Sequence, residues 1–344
     1  MLRKREAKGQ LSTIAFNEEG VRMSMTHENS RHIRLVEVPS ELAGAKLGAG
    51  SGIEALKCYC DETSCGYFER YPIVRIQDEN HASFRGTPYG HARYIDHVSI
   101  VLERVAMQVE ALRKENFFPI IMAGDHSTAA GTLAGLQRAH QGASIGVVWI
   151  DAHADMHTPY TSPSGNMHGM PLAIAMGEDN LPCQINTPSE AETRFWEKLK
   201  HLGGGVHIDP KNIVFCALRD FEEAEAKMIE RHGIKNYTTT TITYEGVRHT
   251  VENIMKDLAH CDHIYISFDV DSIDPLYVPG TGTPVEWGLS FEQALHLNME
   301  LIQNKKVCCW EMAEINPFLD KQNISGKYSF QILDQVTQRL LDHY

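Results

Sequence analysis

The chain has 344 residues, of which 42% are hydrophobic and 22% are charged, and its formal net charge is −13 at pH 7. This composition is typical of a globular protein and allows one large domain or two ordinary ones. The negative charge argues against nucleic acid and anionic membranes as partners, because both require a basic surface. The sequence also contains no apolar stretch of transmembrane length and no signal peptide, so we expect a cytoplasmic protein.

Predicted strands and helices alternate along most of the chain. Residues 1–30 are polar and weakly periodic, so we predict an N-terminal extension followed by a single domain over residues 31–344. Alternating strands and helices indicate βαβ units around a parallel sheet, and strands that are apolar throughout indicate helices on both faces. The predicted strands are Ile33–Val38, Ile73–Ile76, Phe118–Ala123, Ile145–Ile150, Asn212–Leu218, Lys235–Thr238, His263–Phe268 and Lys306–Met312. The predicted helices lie near Ile53 and at Tyr94–Glu115, Ser127–Ala139, Glu222–His232, Gly246–His260, Ser290–Asn304 and Tyr328–His343.

Two segments depart from this alternation. Gly177–Asp209 contains prolines, a glycine triplet and one helical pattern near Glu190–His201. It is too long for an ordinary connection, so we predict an insertion near 177–209. Cys58, Cys60 and Cys65 lie close together, but no second pair follows them, which disfavours a zinc site and indicates no disulfide framework.

Metal-binding side chains follow three of the predicted strands directly. The segments Gly124–His126, Asp151–Asp155 and Asp269–Asp271 each come immediately after an apolar run. Because open α/β sheets bind their ligands at the carboxyl ends of the strands, we expect these segments to meet at one rim of the sheet. The candidate metal ligands are His126, Asp151, His153, Asp155, Asp269 and Asp271.

The chemistry of these donors indicates two cations. Two imidazoles and four carboxylates form a hard, oxygen-rich set, which favours Mn²⁺ over zinc. A single divalent ion would leave excess negative charge buried, whereas two ions about 3.5–4 Å apart can share a water molecule and lower its pKa. The alternative for each segment is a cap, a turn or a surface feature, and Asp125 could hold His126 without contacting metal.

Three motifs resemble the metal-binding signatures of the arginase/agmatinase (ureohydrolase) family, and the resemblance extends from Ile33 to the C-terminus. They are Gly124–Ser127, Asp151–Asp155 and Ser267–Pro275. The resemblance implies a three-layer αβα fold with an eight-stranded parallel sheet. It also implies a binuclear Mn²⁺ centre, with Co²⁺ as the alternative ion, and hydrolysis of a guanidinium C–N bond to release urea. Members of this family are commonly homotrimers or hexamers.

The segment Ser164–Gly169 is similar to the arginase form of the substrate loop, which implies cleavage of L-arginine to L-ornithine and urea. The resemblance implies that Ser164 and Asn166 contact the α-carboxylate and that His168 relays protons. Alternatively, Ser164 and Asn166 could form the turn around Gly165 without contacting the substrate. The resemblance further implies that Glu314 receives the guanidinium and that the remaining substrate contacts are His157, Glu222, Glu225 and Thr283. From the mechanism we expect that Asp155 passes a proton of the attacking hydroxide to the leaving nitrogen.

Four positions depart from the family pattern, and two of them, Ala123 and Trp287, each replace a usual glycine. The other two bear on the substrate. His157 stands where many arginases have asparagine, and Glu222 replaces the commoner aspartate. Both lie where the amino-acid head of the substrate would bind, so they bear on affinity and chain length rather than on the reaction. The alternatives are another ureohydrolase (agmatinase, guanidinobutyrase or formimidoylglutamase), a metal-dependent deacylase, and a non-enzymatic protein with the same fold. The complete ligand set argues against the last two.

Overall fold

The structure is a computed structural model, and it describes residues 32–342. The predicted extension at 1–30 lies outside the described residues. The eight strands are β1 Ile33–Val38, β2 Ile73–Arg75, β3 Phe118–Ala123, β4 Ile145–Ile150, β5 Ile213–Cys216, β6 Lys235–Tyr237, β7 His263–Asp269 and β8 Val307–Ala313. The helices are α1 Gly52–Glu62, α2 Tyr67–Arg70, α3 Ile95–Lys114, α4 Thr128–Ala139, α5 Pro171–Met176, α6 Glu190–Lys200, α7 Glu223–His232, α8 Thr239–Glu245, α9 Val247–Asp257, α10 Phe291–Leu301 and α11 Ile324–Leu341. Of these described helices, none is long and apolar enough to cross a membrane.

The strands form one parallel sheet in the order β2-β1-β3-β8-β7-β4-β5-β6. This order places β3, β8, β7 and β4 side by side in the middle. Because parallel strands all end at the same edge, the segments that follow these four strands are brought to one rim. The chain therefore gathers residues that are far apart in sequence.

Side chains along the central strands alternate between two buried clusters. Ile120 and Trp310 face one cluster, which α1, α9, α10 and α11 cover. Ile121 and Tyr265 face the other, which α3, α4 and α7 cover. Burial on both faces accounts for strands that are apolar throughout. The predicted three-layer α/β fold with an eight-stranded parallel sheet is confirmed.

Several element boundaries differ from the prediction. The strand β5 ends at Cys216, before the predicted Leu218, because Ala217 takes a left-handed conformation with φ of 69°. The helix α5 was not predicted because all six of its residues are buried, so it shows no amphipathic pattern. The helix α8 is a threonine-rich run of low helix propensity that begins where Thr238 accepts a hydrogen bond from the backbone of Thr241.

The segment from 177 to 209 packs closely on the body of the protein. Its helix α6 confirms the helical pattern predicted near Glu190–His201, and Ser189 and Glu192 cap it reciprocally. Trp196 is fully buried and donates to Asp179 at 2.8 Å. Glu192 accepts a hydrogen bond from the backbone of His91 at 2.7 Å, which ties the segment to the loop before α3. That the segment is an insertion stays a prediction.

The cysteine cluster contains one pairing that the sequence analysis did not identify. Cys60 and Cys65 form a disulfide between the end of α1 and the loop before α2, and one such local bridge is not a disulfide framework. Because two of the three clustered cysteines are thereby paired, the disfavoured zinc alternative has no donor set here, and no candidate metal group among the described residues includes Cys58.

Candidate metal centre and substrate pocket

His126 lies among three carboxylates at the rim of the sheet. Its Nδ1 atom is 3.0 Å from Oδ2 of Asp151, 3.0 Å from Oδ2 of Asp155 and 3.2 Å from Oδ2 of Asp269. All four residues are buried, and Nδ1 has no hydrogen-bond partner among the described residues. Buried polar atoms normally have hydrogen-bond partners, and this nitrogen has none. Together with the three carboxylate oxygens that it faces, it forms a set of ligand atoms suited to a cation.

A second group of donors adjoins the first and shares Asp151 with it. The Nδ1 atom of His153 lies 2.9 Å from Oδ2 of Asp271 and 3.5 Å from Oδ1 of Asp151. Asp151 therefore turns one oxygen toward His126 and the other toward His153. The structure thus brings all six predicted ligands together as two adjacent candidate cation sites.

Asp125 does not hold the His126 ring. It accepts hydrogen bonds from the backbone of Ala43 and from Ser127 instead. Asp125 therefore stabilises the loop after β3, and the alternative in which it orients His126 is wrong.

The acids of the site carry charge that burial disfavours. Burial and the neighbouring carboxylates raise the pKa of Asp155 to about 6 and also raise the pKa of Asp269. Burial opposes protonation of His126, yet contacts with the surrounding carboxylates raise its pKa well above the ordinary value. Four acids and two imidazoles in so small a space fit two divalent cations, which would replace the protons that otherwise balance this charge.

Two strand residues hold the ligands in place, and the sequence analysis missed both. Trp149 donates from Nε1 to Oδ2 of Asp151 at 3.0 Å, and its ring stacks on His126 with centroids 4.2 Å apart. The hydroxyl of Ser267 lies 2.7 Å from Nε2 of His126. Trp149 and Ser267 each precede an aspartate ligand by two residues, so strand alternation directs them to the same face, and this spacing could have identified them.

Glu314 follows β8 and contacts both the β3 loop and the substrate loop. Its Oε1 accepts a hydrogen bond from the backbone of His126 at 2.9 Å and lies 3.2 Å from Nδ1 of His168. Burial raises the pKa of Glu314, but the contacts with His168 and His126 outweigh it and lower the pKa. Burial likewise opposes the charge of His168, yet Glu314 and nearby acids raise its pKa to about 9. The pair is therefore held as carboxylate and imidazolium.

A cavity of about 350 Å³ opens over the rim that carries the candidate metal ligands. Asp155, His168 and Thr283 lie in its wall, and the hydroxyl of Thr283 donates to Oδ2 of Asp271 at 3.2 Å. All the predicted substrate-binding residues line this cavity, namely His157, Ser164, Asn166, Glu222, Glu225 and Thr283. The predicted substrate contacts thus face the same space as four of the candidate metal ligands, His153, Asp155, Asp269 and Asp271.

The substrate loop forms a turn and also faces the cavity. Ser164 accepts a hydrogen bond from the backbone of Asn166 at 3.2 Å, so the serine does support the turn. Gly165 has φ of 72°, and a side chain there would overlap the backbone of Gly90. Both Ser164 and Asn166 still line the cavity, so the turn and a substrate contact are compatible.

His157 is engaged by protein groups on both ring nitrogens. Its Nε2 lies 2.8 Å from Glu222 and 3.4 Å from Glu225, and its Nδ1 lies 3.2 Å from Thr161. The hydrogen bond to His157 lowers the pKa of Glu222 to about 2, whereas burial raises that of Glu225 to about 8. Glu222 is thus the anionic group at this end of the cavity, and His157 supports it.

Comparisons with known proteins agree with this geometry. Residues 32–337 match the model of the arginase family. The arginase of Bacillus subtilis is 36% identical over 318 residues, covering 90% of this chain and 98% of that protein. The crystal structure of Entamoeba histolytica arginase in complex with L-ornithine is 29% identical, with a TM-score of 0.75, and covers 89% of this chain and 98% of that one. Formimidoylglutamase from Bacillus subtilis shares the fold at 16% identity, with a TM-score of 0.69 over 90% of this chain and 87% of that one.

Proposed function

Because this chain belongs to the arginase family and is a hydrolase of that family, we propose that it cleaves the guanidinium group of L-arginine to give L-ornithine and urea. The observation that carries this proposal is the meeting of six metal-type donors with a cavity lined by the arginase-like loop. The solved Entamoeba histolytica relative holds L-ornithine, the product that this reaction would give.

The donors support two Mn²⁺ ions, with Co²⁺ as the alternative. His126, Asp151, Asp155 and Asp269 would hold one ion, and Asp151, His153 and Asp271 would contribute to the other. When bound, such a pair supplies a water molecule of lowered pKa that can act as the nucleophile at neutral pH.

Glu314 and His168 have charges that suit the guanidinium end of the substrate. The guanidinium of arginine stays protonated, so the carboxylate of Glu314 would orient it through charge-assisted hydrogen bonds. The leaving nitrogen must gain a proton, and the imidazolium of His168 can donate one at neutral pH because its pKa is raised to about 9. Asp155, which also lines the cavity, would pass the proton of the attacking water toward that nitrogen.

The other end of the cavity suits an amino-acid head. Glu222 carries a negative charge that would attract the α-amino group, with Glu225 beside it. Ser164 and Asn166 would donate hydrogen bonds to the α-carboxylate. Recognition of both groups favours L-arginine over agmatine, which lacks the carboxylate.

A urea-release assay on a panel of guanidino compounds tests the proposal. We expect turnover of L-arginine to exceed that of agmatine and 4-guanidinobutyrate, with about two metal ions per chain in the same sample. N-formimidoylglutamate is an amidine that would release formamide instead of urea, so its turnover is followed as formamide, and we expect it to be lower than that of L-arginine. Urea release from agmatine alone would assign the chain to another ureohydrolase. We further propose that the protein is cytoplasmic and forms a homotrimer or hexamer. Sedimentation analysis would test the oligomeric state, and cell fractionation would test the location.

A further inference from the structure

Glu79, His81 and His97 form a cluster of metal-binding side chains away from the rim that carries the candidate metal ligands. Glu79 and His81 lie between β2 and α3, and His97 lies in the first turn of α3. Each side chain offers one ligand atom, and these three atoms lie within 4.8 Å of one another. None of these three described residues lines the cavity over the rim, so the proposed reaction does not use them.

The carboxylate of Glu79 is held in one orientation and faces both imidazoles. Its Oε1 atom is 2.7 Å from Nη1 of Arg104. Its Oε2 atom is 3.3 Å from Nδ1 of His97 and 3.8 Å from Nε2 of His81. Burial opposes the charge of Glu79, but hydrogen bonds from Arg104 and His97 outweigh burial and lower its pKa. Glu79 therefore presents an anionic oxygen to both rings.

The spacing of these atoms suits a tetrahedral metal ion. Bonds of about 2.0–2.2 Å from zinc to nitrogen and oxygen place neighbouring ligand atoms about 3.3–3.6 Å apart. The distances from Oε2 of Glu79 to the two ring nitrogens are 3.3 and 3.8 Å, so a small rotation of the His81 side chain completes the arrangement. That side chain is exposed, which leaves a route for the ion and a fourth position for water.

The charge around the cluster also permits a cation. Arg104 offsets the charge of Glu79, but Oδ2 of Asp96 lies 3.9 Å from Nε2 of His97 and adds a second negative charge. The alternative is a set of ion pairs around Glu79 that holds no metal.

We propose that Glu79, His81 and His97 bind a divalent transition-metal ion, for which Zn²⁺ is the best fit, at a site separate from the candidate metal centre. Two imidazoles and one carboxylate are a common set of zinc ligands. A given site of nitrogen and oxygen ligands binds Mn²⁺ more weakly than Zn²⁺, so this site should discriminate against the ion proposed for the rim. The bound ion would tie the helical turn Asn80–Arg85 to α3. This inference does not depend on the proposed function.

Equilibrium dialysis tests the proposal on the full-length chain. The protein is first incubated with Mn²⁺ and then dialysed against micromolar Zn²⁺, and both metals are counted by mass spectrometry. We expect the chain to take up a zinc ion without a matching loss of Mn²⁺. His81→Ala should weaken this uptake by at least about tenfold, because the loss of a mere hydrogen-bond partner of a metal ligand already costs about 10–100-fold. His97→Ala provides a second test through a residue on α3.

His249→Ala is the matched control. The side chain of His249 is 59% exposed and that of His81 is 61% exposed, and each has a ring nitrogen 3.8 Å from a glutamate oxygen. No candidate metal group among the described residues includes His249, so we expect unchanged zinc uptake in this variant. Thermal unfolding without zinc verifies that each variant is folded.

Three results would overturn the proposal. They are equal zinc uptake in His81→Ala and the unmodified chain, equal losses in His81→Ala and His249→Ala, and zinc uptake that is fully balanced by release of Mn²⁺. The last result would mean that zinc only replaces the ions at the rim. Urea release is not measured in this experiment, so a failure of the proposed function would leave its outcome unaffected.

Discussion

Oδ2 of Asp151 lies 3.0 Å from Nδ1 of His126, although two other strands separate β4 from β3 in the sheet. The loop after β3 therefore reaches across the ends of β8 and β7 to meet the loop after β4. Asp151 also turns its second oxygen toward His153. One residue thus connects two candidate cation sites.

Asp151→Asn should weaken the binding of both cations, because the substitution removes a negative charge that the two sites share. His126→Ala should weaken one site and leave Asp271 and His153 to hold the other. Metal analysis after gel filtration should give fewer ions per chain for Asp151→Asn than for His126→Ala. Urea release should fall in both variants by more than the roughly 10–100-fold that is typical when a hydrogen-bond partner of a metal ligand is removed. Equal metal content in the two variants would contradict the sharing.

His168→Asn should lower kcat by at least about 100-fold while metal content and KM for L-arginine stay close to their original values. The raised pKa of about 9 keeps the imidazole protonated through the neutral range, so the part of the rate that depends on this proton should decline as pH rises past about 9. The pH–rate profile of the variant should lack that alkaline decline. A profile identical to that of the unmodified enzyme would count against a proton relay.

Asn166→Ala should raise KM for L-arginine about tenfold, because it removes one hydrogen bond to a charged group. Agmatine serves as the matched substrate, since it has no carboxylate for Asn166 to contact. Its kcat/KM should stay within about twofold in the same variant. A parallel loss with both substrates would mean that Asn166 supports the loop rather than the carboxylate.

Gly124→Ala should destabilise the fold before it affects chemistry, because a Cβ atom there would overlap the carbonyl oxygen of Ser40. We expect the free energy of unfolding to fall by about 1–3 kcal/mol or more in urea denaturation. Gly90→Ala is the control, because a Cβ atom at that position meets nothing nearby. Comparable losses in the two variants would show that backbone freedom, not crowding, is the cause.

His140 should make the protein less stable in acid. Burial, with His263 and Arg113 nearby, lowers the pKa of His140 to about 4. The unfolded chain takes up this proton near pH 6.5 and the folded chain only near pH 4, so the unfolded state binds more protons between these values and stability falls as pH decreases. His140→Gln should lose less stability than the unmodified protein between pH 6.5 and 4. Parallel stability curves would refute this contribution.

The strands and the ligand-bearing loops were predictable because each leaves a strong local pattern. Buried parallel strands are apolar along their length, and Asp151, His153 and Asp269 stand where those runs end. The order of the strands left no such pattern, so the sequence predicted that these loops share one rim but not that Asp151 after β4 contacts His126 after β3.

Several features of the site depended on tertiary contacts that no local pattern reports. The engagement of His157 by Glu222 joins residues 65 positions apart, and the contact between His126 and Ser267 joins residues 141 positions apart. The helix α8 forms despite the weak helix propensity of its threonines. The pairing of Cys60 with Cys65 depends on how α1 meets α2, which spacing alone does not give.

The interleaved order of the central strands has a consequence for how the protein matures. Donors that follow β3, β4 and β7 become neighbours only after distant parts of the chain have docked, so a nascent polypeptide cannot capture its ions early. Ions that bind only the folded form add RT ln(1 + [L]/Kd) to its free energy of unfolding, where [L] is the concentration of free ion. A chelator should therefore accelerate unfolding during heating. Metal supply would in this way govern how long each molecule survives as well as how fast it works.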